Sequence, residues 1–579
     1  MNKPIFVKIM KSNASQYKLF VICNTVLTSV CYFFSGICFN EQFTSDRYVD
    51  SMISSNILAP TGIVFIFAVF FIPYTHFSFN IMNEKQYGIM EATGVSWRDL
   101  RAHVLKENVV LAGCSLTLGL FNGIILQTLF FKIFLKVIGI NLDLHIVSKR
   151  SVLIASCVLL SIYTLTIAFI VGRLSLITVK DMINDSKKVR IGSASNRILL
   201  MVGISAIVYA NIGVFIFFDY TNTNKLFIYY AVMLTGIYLI ISNSYVLLDC
   251  AKRCKKSTFY RMLPVVGSIR RNYSANKRII FLSICLISFV VFFHSFSIYC
   301  SKLMLRNAIN DYPQQIAYIE YDVGGYPSEQ DIQQYAQEAN VLISRDLKIP
   351  ALIDGSIIIS QTSANDYLGV SSDVDRNECI VYTQYNPHDG YPHEEFNRKN
   401  YYVGGMEFDV RQTKYSTLVN NAITIKHVVI VNDSIFDYLL RKNDSPERAA
   451  IRMIECSTLK QSEDLYNTMS KYYNLSVDGL FIAAKFIGLK TARQSGCFLI
   501  LVSSIMNFLL LFLNAVMIYY KVQSNKEYNI KVNKMLWELG FSDDEIIRFK
   551  KKEAGIIFIV PAIIAIIIGM TMVVGLARI

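Results

Sequence analysis

The chain has 579 residues, 53% of them hydrophobic, with a mean hydropathy of +0.39 and a formal net charge of +14. That apolar share exceeds the roughly 45–50% of soluble domains and excludes an ordinary soluble enzyme. Residues 301–493 carry 19 Lys+Arg against 25 Asp+Glu, a net of −6. The basic excess elsewhere sits in short loops beside apolar runs, which reads as membrane topology and not as nucleic-acid binding.

At least nine runs reach the length of about 20 residues that a membrane-spanning helix needs. The first, Leu19–Phe39, follows Lys3, Lys8, Lys11 and Lys18, which predicts a cytoplasmic N-terminus. It is too long for a signal-peptide core and lacks a clear cleavage site, so it reads as a retained span. Span 2 is expected at about Ile57–Phe79, span 3 at Val109–Phe134 and span 4 at Ser151–Arg173. The loop between spans 3 and 4 holds Lys132, Lys136, Lys149 and Arg150, although alternation places it outside. Spans 5 and 6 are expected at Ile198–Phe218 and Leu226–Leu248. A loop rich in Lys and Arg follows, from Lys252 to Arg278, and marks the inside face. Span 7 is Ile279–Cys300, span 8 is Cys497–Tyr520 and span 9 is Ile556–Leu576.

Between spans 2 and 3 lies a polar, amphipathic stretch, Glu84–Glu107. Its pattern predicts a helix, a turn at Gly94, a cap at Ser96 and a second helix from Trp97. The same pattern returns at Lys531–Glu553. Gly94 matches Gly540, Ser96 matches Ser542, Asp99 matches Glu545, Leu100 matches Ile546, and Lys106-Glu107 match Lys552-Glu553, always 446 residues apart. One device used twice implies a partner with two equivalent sites.

Residues 301–493 read as one folded α+β domain. Strands are expected at 316–323, 351–360, 378–383 and 423–431, and helices at 328–339, 434–442 and 460–473. Tyr382, Tyr385, Tyr391, Tyr401 and Tyr402 cluster around a Gly/Pro-bearing loop, a candidate binding surface. Cys379 and Cys456 are the cysteines well inside this segment, and the sequence leaves open whether they pair. No P-loop, HExxH, GxSxG or paired CxxC motif occurs, so no ATP site of the P-loop kind and no catalytic residue is expected in this chain. His388 and His393 fit no standard metal site. Asn24, Asn122, Asn211, Asn507 and Asn514 lie within spans, where such residues commonly join helices.

These features together resemble the FtsX-like ABC transporter permeases, and within them the bacitracin-resistance (Bce-type) antimicrobial-peptide permeases. The carrying residues are EKQYGIMEATGVSWRDL (84–100), NKMLWELGFSDDEI (533–546) and TARQSGCFLILVSS (491–504), with a large domain between spans 7 and 8. The resemblance implies a polytopic α-helical membrane protein with about nine membrane helices here, against a family pattern of ten, and one extracellular α+β domain. Its parts would be residues 1–56 (span 1), 57–176 (a first FtsX-like unit with coupling helix 84–107), 177–300 (spans 5–7), 301–493 (the outer domain) and 494–579 (a second unit with coupling helix 531–553). The last helix of that second unit is expected to be missing.

The resemblance also implies partners. Met90, Gly94, Ser96, Asp99, Leu100 and Glu107, with Leu536, Gly540, Ser542, Glu545, Ile546 and Glu553, would couple to a separate ATPase homodimer that binds ATP and Mg. A membrane histidine kinase would be a further partner. The substrates would be a cationic peptide such as bacitracin or a lantibiotic and an undecaprenyl-linked lipid. Lys132, Lys136, Lys149 and Arg150 would then meet the lipid pyrophosphate, and the tyrosine cluster would meet the peptide. Two other readings stay open: a mechanotransmission permease for lipoprotein release or cell-wall hydrolase activation, and a non-transporting peptide receptor.

Overall fold

The computed structural model describes residues 14–40, 57–138, 148–174, 176–179, 182, 197–217, 224–244, 265–267, 273–321, 326–384, 399–403, 405–420, 426–442, 447–472, 482–524 and 526–577. The chain divides into two compact units, Met1–Ile298 with Phe498–Ile579, and Tyr299–Cys497. Among the described residues, eight helices are long and apolar enough to cross a membrane, and a shorter apolar helix covers Ile228–Ser242. With the sheet domain below, this is a polytopic helical membrane protein carrying an α+β domain.

In chain order the first helices are α1 (Ala14–Cys38), α2 (Leu58–Ala92), α3 (Trp97–Ile138), α4 (Lys149–Leu174), α5 (Arg197–Ile212, continued by a π-turn at Gly213–Phe217), α6 (Asn224–Ser242) and α7 (Tyr273–Asp311). The sequence separated span 2 from the amphipathic stretch after it. In the structure both belong to α2, and span 3 likewise continues the second arm within α3. Nothing between residues 79 and 92 breaks helical geometry, so the helix runs on to Gly94.

Small residues let α1 and α3 approach closely. A Cβ on Gly119 would lie 2.5 Å from the Thr28 side chain, and one on Gly123 would lie 2.7 Å from the Tyr32 ring and 2.9 Å from the Ser29 carbonyl. This is the Gly-x-x-x-Gly solution to helix packing without a hydrophobic driving force. Gly123→Leu is therefore expected to lower the thermal stability of the detergent-purified chain, by about 1–3 kcal/mol from overpacking. Gly113→Leu on the same helix should not, because a Cβ there meets nothing within 4 Å. Equal losses in the two variants would contradict this packing. α5 and α6 cross in the same way, with each of Gly203 and Gly236 facing the other's carbonyl at 2.8 Å from the built Cβ.

The Tyr299–Cys497 unit contains β1 (Ile316–Tyr321), α8 (Glu329–Glu338), β2 (Ile343–Ile353), β3 (Ile357–Ser360), α9 (Gln361–Leu368), β4 (Glu378–Thr383), β5 (Asn400–Val403), β6 (Met406–Tyr415), β7 (His427–Val431), α10 (Asp433–Arg441), β8 (Glu447–Cys456), α11 (Leu459–Tyr472) and β9 (Ala483–Ala484). The nine strands form one sheet in the order β5-β6-β4-β7-β3-β2-β8-β1-β9. Pairs β3–β7 and β4–β6 are parallel, and the other pairs are antiparallel. Alternate residues feed opposite faces, as the strand period requires. Ala317, Ile319, Val428 and Ile430 build one core, under α9. Their neighbours Ile316, Tyr318, Val429 and Val431 pack on the other face, under α8, α10 and α11.

The run at 351–360, read from sequence as one strand, is a hairpin of β2 and β3 turning at Gly355, where φ is +67°. Cys379 and Cys456 are free thiols buried in different clusters, so they do not pair. Burial pushes the Cys379 thiol up to about 12 and the Cys456 thiol up to about 11. A maleimide at neutral pH should therefore leave both unmodified until the domain unfolds. Rapid labelling of either in the native chain would show that the sheet core is open.

After β9 the chain continues as α12 (Lys485–Ser524), α13 (Lys526–Glu538), α14 (Asp543–Ala554), a π-helical segment Gly555–Ile559 and α15 (Val560–Ala577).

Candidate functional site: two helical hairpins

The α2–α3 and α13–α14 junctions are built alike. In the first, Val95 N–H donates to Met90 O at 3.1 Å and Gly94 N–H to Glu91 O at 3.0 Å. In the second, Phe541 N–H donates to Leu536 O at 3.1 Å and Gly540 N–H to Trp537 O at 2.9 Å. Donors and acceptors match one for one at the 446-residue spacing. This is a Schellman stop, which needs a left-handed residue just past the helix. Gly94 and Gly540 supply it, with φ of +98° and +90°. Val95 contacts the same cluster as Met90, the apolar contact that accompanies the motif.

The next helix is then started by a cap. Asp99 N–H donates to Ser96 Oγ at 3.2 Å, and Ser96 Oγ donates to the Asp99 carboxylate at 2.9 Å. Ser542 and Glu545 form a reciprocal capping box, with Glu545 N–H to Ser542 Oγ at 3.4 Å and Ser542 N–H to Glu545 Oε2 at 3.1 Å. Each serine satisfies an amide that the helix start leaves open. Stop, turn and cap together fix the angle between the two arms of each hairpin.

The other expected coupling residues divide by burial. Met90, Leu100, Leu536 and Ile546 are buried, the first two in one cluster between the arms of the first hairpin. The first hairpin also packs Tyr87 and Val104 against Ile170 and Leu174 of α4. The second exposes a larger apolar surface: Met535, Trp537, Leu539 and Ile547 are all more than half exposed. Glu107 lies at the base of the first hairpin and accepts hydrogen bonds from Tyr17 and from Tyr87, the latter at 2.8 Å. Glu553 takes the Lys550 ammonium at 3.3 Å, and Lys550 also donates to Asn529 at 2.8 Å.

The duplication extends beyond what the sequence motifs disclosed. Asn83 and Asn529, Tyr74 and Tyr520, and Gly123 and Gly569 are also 446 residues apart. A Cβ on Gly569 would lie 2.6 Å from the Val291 side chain and 3.2 Å from the Ser288 carbonyl of α7. Its counterpart Gly123 meets Ser29 and Tyr32 of α1. Ser29 and Ser288 are 259 residues apart, and so are Tyr32 and Val291. Asn24 and Ser283 keep that spacing too, although their partners are not counterparts, since Thr75 corresponds to Lys521 and Asn514 to Ala68. Asn24 accepts from Thr75 of α2 at 3.0 Å, and Ser283 donates to Asn514 of α12 at 2.8 Å. α1, α2 and α3 thus recur as α7, α12 and α15 with its hairpin. Sequence reading missed this because the matching contacts join residues of different types.

A polar core that the sequence did not signal ties the first three helices together. His76 Nδ1 lies 3.0 Å from Asn108 Oδ1, and Asn80 and Asn108 exchange amide hydrogen bonds at 3.1 and 3.3 Å. Phe20 of α1 packs edge-on against the His76 ring at 4.6 Å. Among the asparagines singled out within spans, Asn211 bonds its own helix at Ile207 O.

The other expected sites are arranged differently. Lys132 and Lys136 lie near the end of α3, and Lys149 and Arg150 at the start of α4, all four exposed. The tyrosine cluster does not form one surface among the described residues. Tyr382 is buried in the core under α9, with Lys414 over its ring at 5.4 Å. Its position on β4 turns it inward, which corrects its expected role in binding. Tyr401 packs on the opposite face of the sheet and bonds Ser356. Tyr402 is exposed, with its hydroxyl donating to Glu407 at 2.6 Å. That bond raises the Tyr402 phenol and lowers the Glu407 carboxyl relative to their ordinary values. Tyr385 and Tyr391, like His388 and His393, lie outside the described residues.

No protein-family model matches the chain. Among curated proteins it is similar to the uncharacterized ABC transporter permease YvcS of Bacillus subtilis (strain 168), with 23% identity over 184 residues, 31% of this chain and 28% of that protein. It is also similar to the ABC transporter permease protein YxdM of the same strain, with 20% identity over 200 residues, 34% of this chain and 32% of that protein. The matched part thus spans about three tenths of the length of these curated relatives. Over that part, the chain is similar to ABC transporter permeases.

Proposed function

We propose that the chain is the membrane subunit of an ABC transporter of the FtsX-like, bacitracin-resistance type, and that a separate ATPase homodimer seats on its two hairpins. The observation that carries this reading is the repetition of one stop–turn–cap hairpin, bond for bond, at two places in one chain. An ATPase dimer presents two equivalent surfaces, and two equivalent hairpins fit them with one permease per dimer. ATP and Mg are bound by that partner. Movement of the hairpins passes through α2, α3, α12 and α15 toward the α+β domain, which we place outside the cell. The complex frees undecaprenyl-linked cell-wall intermediates from cationic peptides such as bacitracin or lantibiotics. A membrane histidine kinase reads its activity. Lys132, Lys136, Lys149 and Arg150 meet the lipid pyrophosphate in this reading, which their exposure supports, and replacing all four with Gln should reduce lipid co-purification.

The test is survival. The chain and its ATPase are expressed in a peptide-sensitive host, and bacitracin and a lantibiotic are titrated. Raised tolerance that disappears when the ATPase is inactivated supports the reading. Unchanged tolerance, with both subunits in the membrane, contradicts it.

A further inference from the structure

The two hairpins are alike in backbone and unlike at their tips. Met535, Trp537 and Leu539, just before the second turn, are 52%, 65% and 68% exposed, and Ile547, just after it, is 51% exposed. Their counterparts 446 residues earlier are Ile89, Glu91, Thr93 and Arg101. Of these four, Ile89 alone is apolar. The chain has two tryptophans, one in each hairpin. Trp97 turns inward and packs against the cluster of Met90 and Leu100, with the Arg101 guanidinium over its ring at 5.6 Å. Its own counterpart is Asp543. Trp537 turns outward. Large apolar side chains gathered at one exposed turn, with exposed Lys534, Glu538, Asp544 and Arg548 among them, have the make-up of a protein contact.

A membrane surface fits this tip poorly. Asp543–Gly575 is one continuous helix of 33 residues. That is about 50 Å at 1.5 Å per residue, against a hydrocarbon core of about 30 Å. The apolar stretch from Ile556 onward fills the core, so Asp543 and the turn before it stand about 20 Å beyond it. The occupant is therefore a soluble protein surface.

We infer that the second hairpin is the anchor of the ATPase dimer, with Trp537 at its centre, and that the first hairpin holds the other ATPase subunit more weakly. This rests on the reading of both hairpins as ATPase contacts. A homodimer offers the same groove twice, and the two tips that enter it differ. A groove apolar enough to take Trp537 and Leu539 must, on the other subunit, take Glu91 and Thr93. Burying an indole is favourable there, and desolvating a carboxylate is not. The ATPase is captured at α13–α14 first, and the α2–α3 contact completes the seat.

The test is equilibrium binding of the ATPase to the full chain in lipid nanodiscs. Trp537→Ala is expected to weaken binding at least about tenfold, and Glu91→Ala, at the equivalent place, to change it less than about twofold. Thr93→Leu gives the first hairpin the residue of the second and should tighten binding. Should Trp537→Ala fail to fold, Leu539→Ser reads the same tip with a smaller change of volume and is expected to weaken binding as well. Unchanged binding in the tip variants overturns the anchor, and so does an equal loss in Trp537→Ala and Glu91→Ala. No binding by the unaltered chain is a different failure, which removes the ATPase reading and this inference with it. Two other occupants are read without the ATPase. Quenching of Trp537 fluorescence by brominated lipid chains, in a Trp97→Phe background, would put the tip in the bilayer. A dimer of the chain that Trp537→Ala dissolves would put a second copy on it. Either result overturns the proposal, and an unquenched monomer supports it.

Discussion

Gly94→Pro and Gly540→Pro are each expected to abolish ATP-dependent function while leaving the chain in the membrane. Proline holds φ near −65° and has no N–H. At these positions φ is +98° and +90°, and the N–H donates to Glu91 O or Trp537 O. Both the backbone region and the hydrogen bond are lost, at a cost of at least about 3 kcal/mol confined to one hairpin. The arms would then splay, and the Ser96 or Ser542 cap would start its helix at another angle. A graded series sharpens the test. Asn tolerates the left-handed region, so Gly94→Asn should be mild. Gly94→Ala should be intermediate, at about 1–2 kcal/mol. Co-purification of the ATPase, followed across Asn, Ala and Pro at each glycine, should fall in that order. Equal co-purification throughout would mean that hairpin geometry does not matter.

Arg452→Ala is expected to be the most damaging single truncation in the sheet domain. Arg452 lies on β8 and is 2% exposed. Its Nε and Nη2 donate to Asp346 of β2 at 2.8 and 2.6 Å, and its Nη1 lies 3.6 Å from Glu320 of β1. Lys348 completes the group at 2.6 Å from Glu320. Burial works against the guanidinium charge, but the Asp346 hydrogen bonds and the Asp346 and Glu320 carboxylates outweigh it, so the group is held above its ordinary value. Removing the arginine strands Asp346 and half of Glu320's compensation, at about 3–5 kcal/mol. Adding Asp346→Leu to Arg452→Met should recover much of that loss, because Asp346 would no longer leave a carboxylate facing an empty partner and Glu320 keeps Lys348 at 2.6 Å. Limited proteolysis of the full chain during urea titration reads both effects. An unshifted midpoint in Arg452→Ala would show that the network is peripheral to stability.

The membrane helices were legible because about 20 apolar residues in a row have few other fates. The hairpins were legible because a Gly stop and a Ser cap are short-range devices with fixed spacing. Where helix became hairpin arm was not legible. Hydropathy changes between Phe79 and Glu84 although the backbone does not. In the sheet domain, β1, β4 and β7 are apolar runs and were visible. β6, MEFDVRQTKY, lies next to the edge strand and is largely polar, and β8 carries Arg452 at its centre. β8 owes its strand state to pairing with β1 and β2, far back in the chain, whereas β6 owes its own to β4 and to the adjoining β5. Tyr382 shows the same limit for sites. Its aromatic neighbours in sequence suggested a surface, but register on β4 decides its face. Tyr87 was legible as an apolar position of its helix, but the bonds of Tyr17, Tyr87 and His76 were not, because their partners are 90, 20 and 32 residues away.

The central claim is that two hairpins on one chain serve one ATPase dimer. The most direct measurement is the native mass of the complex, purified through a tag on the permease in the presence of a non-hydrolysable ATP analogue. The account predicts two ATPase subunits for each permease chain, with the pair lost in Gly94→Pro and in Gly540→Pro. One ATPase subunit per chain, or a pair retained in both proline variants, would contradict it.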